Sequence, residues 1–474
     1  MTSSHRTLLW LYLAALALRL IPVLLSRGLG IGLDDMFQYD MLARSLASGN
    51  GFRWYAKADL DQLAPYVDFD LSSVDYDPVR GVLTSFRAPL YPSFLAVIYS
   101  VSGLGFGRFL AARLAQAVLL GAPLAPLTYL TARRTLPGQE GAARTAGWIV
   151  AAYPMLLLYP LGLGTENLFF LLVLGSVFML VVSSQEPSNR NFLLSGFLMG
   201  LTALTRSVIL PFAGLALLWI WWNLRLTRGA ILFGAALVLT IAPWIVRNSL
   251  LYGKLTGIET SLGYNLYVGY HPDGSGTFTF GPSLDLVPIL DDSVRDRLGT
   301  QRALQFIQAD PDRFLPLALS RLGYFFRLEL RILTYFYSNN FFGYIPVVPL
   351  ILLGLFFSLP FAIVSISACF GAVRLPSSSA RLLLFLLFAG YLLPHIFILS
   401  EERFHLALVP FLAILSGLAW KGDTGAAGRP AWVRLISILL SVALLFNWAY
   451  QLGSESGKFT RILGPNGNHS SLPY

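Results

Sequence analysis

Long apolar runs broken by short, arginine-bearing polar segments set the pattern of this chain. A run of about 17–25 apolar residues suffices to cross a bilayer as a helix. Such runs fall near 7–25, 109–131, 145–162, 166–183, 191–204, 207–223, 229–247, 344–372, 381–399, 404–420 and 432–450. The stretch 88–103 is apolar but short, and Pro89 and Pro92 open it. Loop charge decides its placement. If it stays at the surface, Arg133, Arg134, Arg144, Arg190, Arg225, Arg228, Arg374, Arg381, Lys421, Arg429 and Arg434 share the side of Arg6. That is the cytoplasmic side by the positive-inside bias. If it crosses, those loops lie outside while Arg6 stays in. The pattern therefore predicts an all-α polytopic membrane protein with about eleven transmembrane helices, N-terminus cytoplasmic and C-terminus outside, with 88–103 interfacial or re-entrant. Arg19 interrupts the first run and no small-x-small cleavage site follows, so an uncleaved anchor is expected rather than a secretory signal.

This topology gives one membrane domain, 1–474, with two long outward segments, 26–108 and 249–343, and C-terminal helices over 344–450. The first segment opens on Asp34–Asp35, directly after the first span. Tyr39-Asp40-Met41-Leu42-Ala43 and Gly49-Asn50-Gly51-Phe52 then read as a short amphipathic helix ending in a glycine turn, lying back on the membrane surface. The second begins with the glycine-rich 263–269. Asp292 or Ser293 can cap a helix running to about Ala309, and Asp310 before Pro311 starts another in which Arg313, Arg321 and Arg327 flank apolar positions.

Composition agrees with a membrane protein. Hydrophobic residues make up 55% of the chain and charged residues 12%, about half the charged share of a soluble protein. Mean hydropathy is +0.63. The single cysteine, Cys369, excludes an internal disulfide and a cysteine metal site. The net charge of +9 is accounted for by inward loops and calls for no nucleic-acid partner. The plasma or inner membrane is the expected location.

The outward helix ends carry the candidate chemistry: Asp34–Asp35, Thr165-Glu166, Thr205-Arg206, Arg247-Asn248 and Glu401-Glu402-Arg403. Ionisable groups at lipid depth face a cavity and a partner. Arginines gathered there can hold the phosphate of a lipid carrier, and a carboxylate beside them can take the proton of an attacking hydroxyl. Each residue also has a plainer reading. Asp34–Asp35 can cap a helix, Arg206 and Arg247 can anchor at the interface, Arg403 can pair with its neighbours Glu401 and Glu402, and Glu166 can cap a span. His395 and His405 lack a third ligand for a metal. The pairs Asp59/Asp61, Asp68/Asp70 and Asp75/Asp77 lack EF-hand spacing and read as a solvated face.

Several of these pieces occur in one order: Asp35-x-x-x-Tyr39-x-x-x-Ala43, Phe86-Arg87-Ala88-Pro89-Leu90-Tyr91-Pro92, Thr165-Glu166, 200–206 ending in Thr205-Arg206, Pro243-Trp244-x-x-Arg247-Asn248 and Arg403-Phe404 with Pro410. In that order the chain resembles the GT-C glycosyltransferases of the protein O-mannosyltransferase and lipid A aminoarabinose transferase type (glycosyltransferase family 39-like). The resemblance implies an inverting transfer of one sugar from a polyprenyl-phosphate-linked donor to a hydroxyl acceptor (lipid, glycan or protein) on the extracytoplasmic side of the bilayer. It puts the catalytic base on Asp35, with Asp34 beside it and Glu166 as a second acid. It assigns lipid phosphate and sugar to Arg87, Tyr39, Arg206, Arg247 and Arg403. The chain departs from the family pattern in having Asp35-Met36 where Asp-Glu is frequent, and Arg87-Ala88-Pro89 where Arg-Pro-Pro is typical. No cofactor is implied, and a divalent cation is left open. A flippase or exporter of lipid-linked oligosaccharide, or a glycan polymerase, would share many spans and outward arginines. Neither needs an acid-bearing loop immediately after the first span.

Overall fold

The computed structural model describes residues 3–338, 340, 343–422 and 431–469. Arg429, counted among the inward charges, and positions 339, 341 and 342 of the second outward segment lie outside these. The chain is helical nearly throughout. Among the described residues, eight helices are long and apolar enough to cross a membrane. These are α1 (Ser4–Leu25), α4 (Gly107–Thr135), α6 (Glu166–Gln185), α9 (Thr227–Tyr252), α14 (Val347–Arg374), α15 (Ser379–Phe397), α16 (Glu402–Lys421) and α17 (Ala431–Ser454). The other three expected spans fall on shorter helices: 145–162 on α5 (Glu140–Ala152) and a following helix Pro154–Leu158, 191–204 on α7 (Asn189–Thr205), and 207–223 on α8 (Ser207–Asn223).

Pro154 explains the division of the third run. A residue before proline avoids the helical region, and Tyr153 is extended at φ −65° and ψ 116°. Proline also lacks the N–H that would reach the Val150 carbonyl. Arg19, the charge that interrupts α1, supplies the missing donors: its guanidinium bonds Val150 O at 3.2 Å and Ala151 O at 3.1 Å. It is completely buried. The packing around it needs Gly121, where a Cβ would stand 2.9 Å from the Arg19 side chain.

Helix α16 lies at the centre of the bundle. Its most apolar stretch is 83% buried, against 22% for α1, α9 and α17, which are peripheral. It packs on α5 and α14, while α7 packs between α6 and α9. The large core runs through these helices and includes Phe169, Phe212, Phe361 and Tyr391.

The two long segments, 26–108 and 249–343, fold against each other. In the first, α2 (Asp35–Ala47) packs on α3 (Leu90–Ser102), the helix formed by the 88–103 stretch. The turn after α2 uses positive φ at Gly49 and Gly51. A two-residue ribbon follows, β1 (Arg53–Trp54) antiparallel to β2 (Val82–Leu83). In the second, the glycine-rich stretch is itself a helix, α10 (Leu262–Tyr270), packed on α11 (Asp292–Ala309). Its glycines are needed for close approach: a Cβ on Gly263 would lie 1.9 Å from the Asp296 carbonyl oxygen. The cap of α11 is Asp291, not the expected Asp292 or Ser293; its carboxylate accepts from Ser293 N at 2.8 Å and Val294 N at 3.0 Å. Asp292 instead turns inward and ties the two segments together. It accepts from Thr84 Oγ1 at 2.5 Å, Ser85 N at 2.8 Å and Tyr252 OH at 3.2 Å, and pairs with Arg295. Beyond Pro311–Arg313, α12 (Phe314–Phe325) carries Arg321 inward, bonded to Gly269 O at 2.6 Å and Ile396 O at 3.2 Å. Helices α13 (Arg331–Ser338) and α18 (Ser456–Ile462) complete this end.

Candidate active site

The first turn of α2 sets the site. Asp34 is the N-cap: its carboxylate accepts from Met36 N at 2.9 Å, satisfying a donor that the helix leaves open. Asp35, the first helical residue, projects elsewhere. One of its oxygens pairs with Arg87, from the segment before α3, and the other with Arg403 Nη2 at 3.1 Å. Gln38, on the same face as Asp35, accepts from Arg87 Nε at 2.9 Å. Tyr39 lies under the Arg87 guanidinium, 5.3 Å from it.

The ion pairs continue from Arg403. Its Nε is 2.9 Å from Glu401 Oε2 and 3.7 Å from Glu166 Oε1. Glu166, at the start of α6, also pairs with Arg206 Nη1 at 2.7 Å. Glu401 also pairs with Arg331 Nη1 at 2.7 Å. Arg206 sits where α7 ends, and its guanidinium stacks over Phe404 at 5.0 Å. The joined side chains comprise three carboxylates and four guanidiniums, an excess of one positive charge. They come from the ends of α2, α6, α7, α13 and α16 and from the segment before α3. Such a cluster has one positive charge to offer an anion.

Burial raises the affinity of Asp35 for a proton, but Arg87 and Arg403 outweigh it and hold the carboxyl below its usual range. Both oxygens nevertheless keep acceptor capacity, because each makes one contact here and the side chain is 36% exposed.

A buried triad stands behind Arg403. His405 Nδ1 donates to Phe325 O at 2.7 Å, since a carbonyl can only accept. Its Nε2 is 2.9 Å from Glu329 Oε1, which also accepts from Tyr153 OH at 2.7 Å. Phe361 stacks on the His405 ring at 3.9 Å. This fixes the backbone next to Arg403.

Of the residues singled out from sequence, Asp35, Tyr39, Arg87, Glu166, Arg206 and Arg403 are brought together. Asp34 adjoins them as a cap. Arg247 is not in the ion-pair chain; it bonds Thr84 O at 2.6 Å and Asn248 Oδ1 at 2.9 Å and stacks on Trp244 at 4.8 Å. Arg403 does pair with its neighbour Glu401, as the plainer reading allowed, but Glu401 is 3% exposed and bridges two arginines. Gln38 and Arg331 were missed. Gln38 had a signal, lying about one turn after Asp35; Arg331 had none. Among the described residues, no group of three or more His, Cys, Asp or Glu is placed to hold a metal ion.

The helical bundle, with its ion-pair site built from helix ends and two long connecting segments, is that of a polytopic membrane protein of the GT-C fold. Comparison with solved structures gives the same fold. The chain is similar to the oligosaccharyltransferase AglB of Archaeoglobus fulgidus in complex with an inhibitory peptide and a dolichol-phosphate, at 14% identity and a TM-score of 0.50 over 100% of this chain and 61% of that one. The apo form of the A. fulgidus oligosaccharyltransferase matches at 15% identity and a TM-score of 0.50, covering 99% of this chain and 60% of that one. ArnT from Cupriavidus metallidurans bound to undecaprenyl phosphate matches at 15% identity and a TM-score of 0.42, covering 98% and 73%. The chain thus spans about three fifths of the oligosaccharyltransferase. No protein-family model and no curated protein sequence matches it.

Proposed function

We propose that the chain is an inverting glycosyltransferase that moves one sugar from a polyprenyl-phosphate donor to a hydroxyl acceptor on the extracytoplasmic side. The observation that carries this reading is Asp35 held between Arg87 and Arg403 with acceptor capacity to spare. In the reaction the acceptor oxygen forms a bond to the anomeric carbon and the bond from that carbon to the phosphate oxygen breaks. The electron pair leaves with the lipid phosphate, and the acceptor proton goes to Asp35.

The arginines serve both ends of this exchange. While Arg87 and Arg403 pair with Asp35, the carboxylate is a weak base. When a donor phosphate takes their hydrogen bonds, Asp35 loses its partners and its basicity rises. Binding of the donor thus switches on the base. Arg206 adds charge to the leaving phosphate, and Glu166 and Glu401 orient the guanidiniums. Tyr39 supports Arg87 from below, Asp34 caps α2, and Arg247 holds the first outward segment in place. The arginine-rich opposite loops support an extracytoplasmic site. The fold shared with AglB, solved with a dolichol-phosphate, supports a polyprenyl phosphate as the lipid.

The test is a proteoliposome assay with a polyprenyl-phosphate sugar and candidate lipid, glycan and protein acceptors. Free polyprenyl phosphate is expected from the wild type and not from Asp35→Asn, with the fold of the variant checked by thermal unfolding. Undiminished release by a folded Asp35→Asn protein would rule the assignment out.

A further inference from the structure

A polar cavity, about 290 Å³ in volume, adjoins the ion-pair chain at Arg331. It is walled by the segment after α10, the end of α12, the start of α13, the first residue of α16 and the junction of α17 with α18. Two of its lining residues connect it to the catalytic end. Arg331 carries the ion pair to Glu401, and Glu401 the pair to Arg403, which reaches Asp35. Glu402 accepts from Arg331 N at 2.9 Å.

The chemistry of the wall selects its ligand. Arg331 is already paired with Glu401, which leaves Arg327 and Lys458 against Asp273, Glu455 and Glu402, whose carboxyl pKa is pushed up to about 7 by burial. Arg327 already pairs with Glu455 at 2.6 Å. A phosphate or polyanion would need cations in excess. Hydroxyls line it at Thr277, Thr279 and Thr334, of which Thr334 already donates to Arg331 O at 2.7 Å and is left as an acceptor, and the rings of Phe278 and Phe459 offer apolar faces. A cavity of this size lies just below the ~300–1,000 Å³ of drug-sized ligand sites. Matched donors and acceptors beside aromatic faces suit a neutral polyhydroxylated ring.

We propose that this cavity binds a neutral saccharide unit. A saccharide held here touches Arg331 and Glu402 and is separated from Asp35 by the ion pairs through Glu401 and Arg403, and the site does not rest on the glycosyltransferase reading above.

Saturation-transfer NMR on the full chain in detergent tests the site, with methyl glycosides of glucose, galactose, mannose and N-acetylglucosamine as probes. At least one is expected to show saturated ring protons. Thr277→Trp and Thr334→Trp fill the cavity from two separate segments and should abolish the signal in protein that melts as the wild type does. Glu402→Gln keeps the volume and should weaken binding roughly tenfold, the loss of one charge-assisted hydrogen bond. Absence of saturation for all four glycosides, or a signal that survives both filled variants, overturns the proposal. Asp35→Asn should bind the glycoside normally. Release that does not depend on Asp35 overturns the transfer reading and leaves the saccharide site standing.

Discussion

Two aspartates little more than a turn apart on α2 meet arginines in opposite ways. Asp40 is buried and saturated. Its Oδ1 accepts from Tyr99 OH at 3.0 Å and Arg108 Nε at 2.8 Å, and its Oδ2 from Arg44 Nε at 2.8 Å and Arg108 Nη2 at 3.0 Å. Asp35 pairs with two arginines from distant parts of the chain and stays 36% exposed. A carboxylate whose lone pairs are all engaged can only hold structure together. One whose partners are long, only partly buried arginines can exchange them for a substrate. The same residue types, on one helix, thus divide into a strut and a site.

The largest effect expected from this contrast is on Asp35. Asp35→Asn should lower the rate of polyprenyl phosphate release by about 10²–10⁴-fold, the range for losing a general base, with little change in thermal stability. Asp40→Ala should do the reverse. Removing one partner of a buried ion pair costs about 3–5 kcal/mol, and here the lower end is expected. Arg44 keeps Asp59 at 2.6 Å and Arg108 keeps Leu104 O at 2.7 Å. Denaturation in detergent would show the loss, and the protein still folded should turn over at nearly the wild-type rate. A Asp40→Ala protein that is stable but inactive would erase the distinction between the two aspartates.

A smaller effect concerns pH. The arginines depress the Asp35 pKa, so the carboxylate stays charged until the pH falls below the ordinary aspartate value of about 3.9. The stability these pairs contribute is complete above that value and is lost as pH drops through the lower, folded-state one. The acid limb of kcat/KM, which reports the free enzyme, should therefore lie below pH ~4. In Arg403→Gln one depressing charge is gone while burial remains, and the limb should move upward. A limb that stays in place would mean that Arg403 does not set the basicity of Asp35.

The strut and the site were unequally legible in sequence. Apolar run length identified the helical membrane fold, and proximity to the first span brought Asp34 and Asp35 forward. Their division of labour was not legible. Adjacent residues at a helix start point about 100° apart, and only the placement of Arg87 and Arg403 shows which one meets charge. Pro154 lay in plain view inside the 145–162 run, yet run length prevailed over it in predicting a continuous span. Arg331 could not be found, because its partner Glu401 is 70 residues away and nothing around it marks a helix start aimed at the site. Contacts between distant helix ends depend on packing, and packing leaves no local periodic trace.

The smallest effect sharpens the comparison from outside the cluster. Arg247 resembles the site arginines in type and position at a helix end, but its acceptors are backbone carbonyls and an amide, with Thr84 O at 2.6 Å the shortest. Those carbonyls belong to the segment that Asp292 also grips through Thr84 and Ser85. Arg247→Gln should therefore lower stability by about 1.5–3 kcal/mol, the scale for a hydrogen bond to a charged group. Donor KM should shift by no more than roughly twofold, or about 0.4 kcal/mol. Arg403→Gln, by contrast, should raise donor KM at least about tenfold, because it removes a group proposed to take the phosphate itself. Initial rates at varied donor concentration, on protein of matched folded fraction, separate the two. Equal KM increases in both variants would place Arg247 on the phosphate and extend the site to the end of α9.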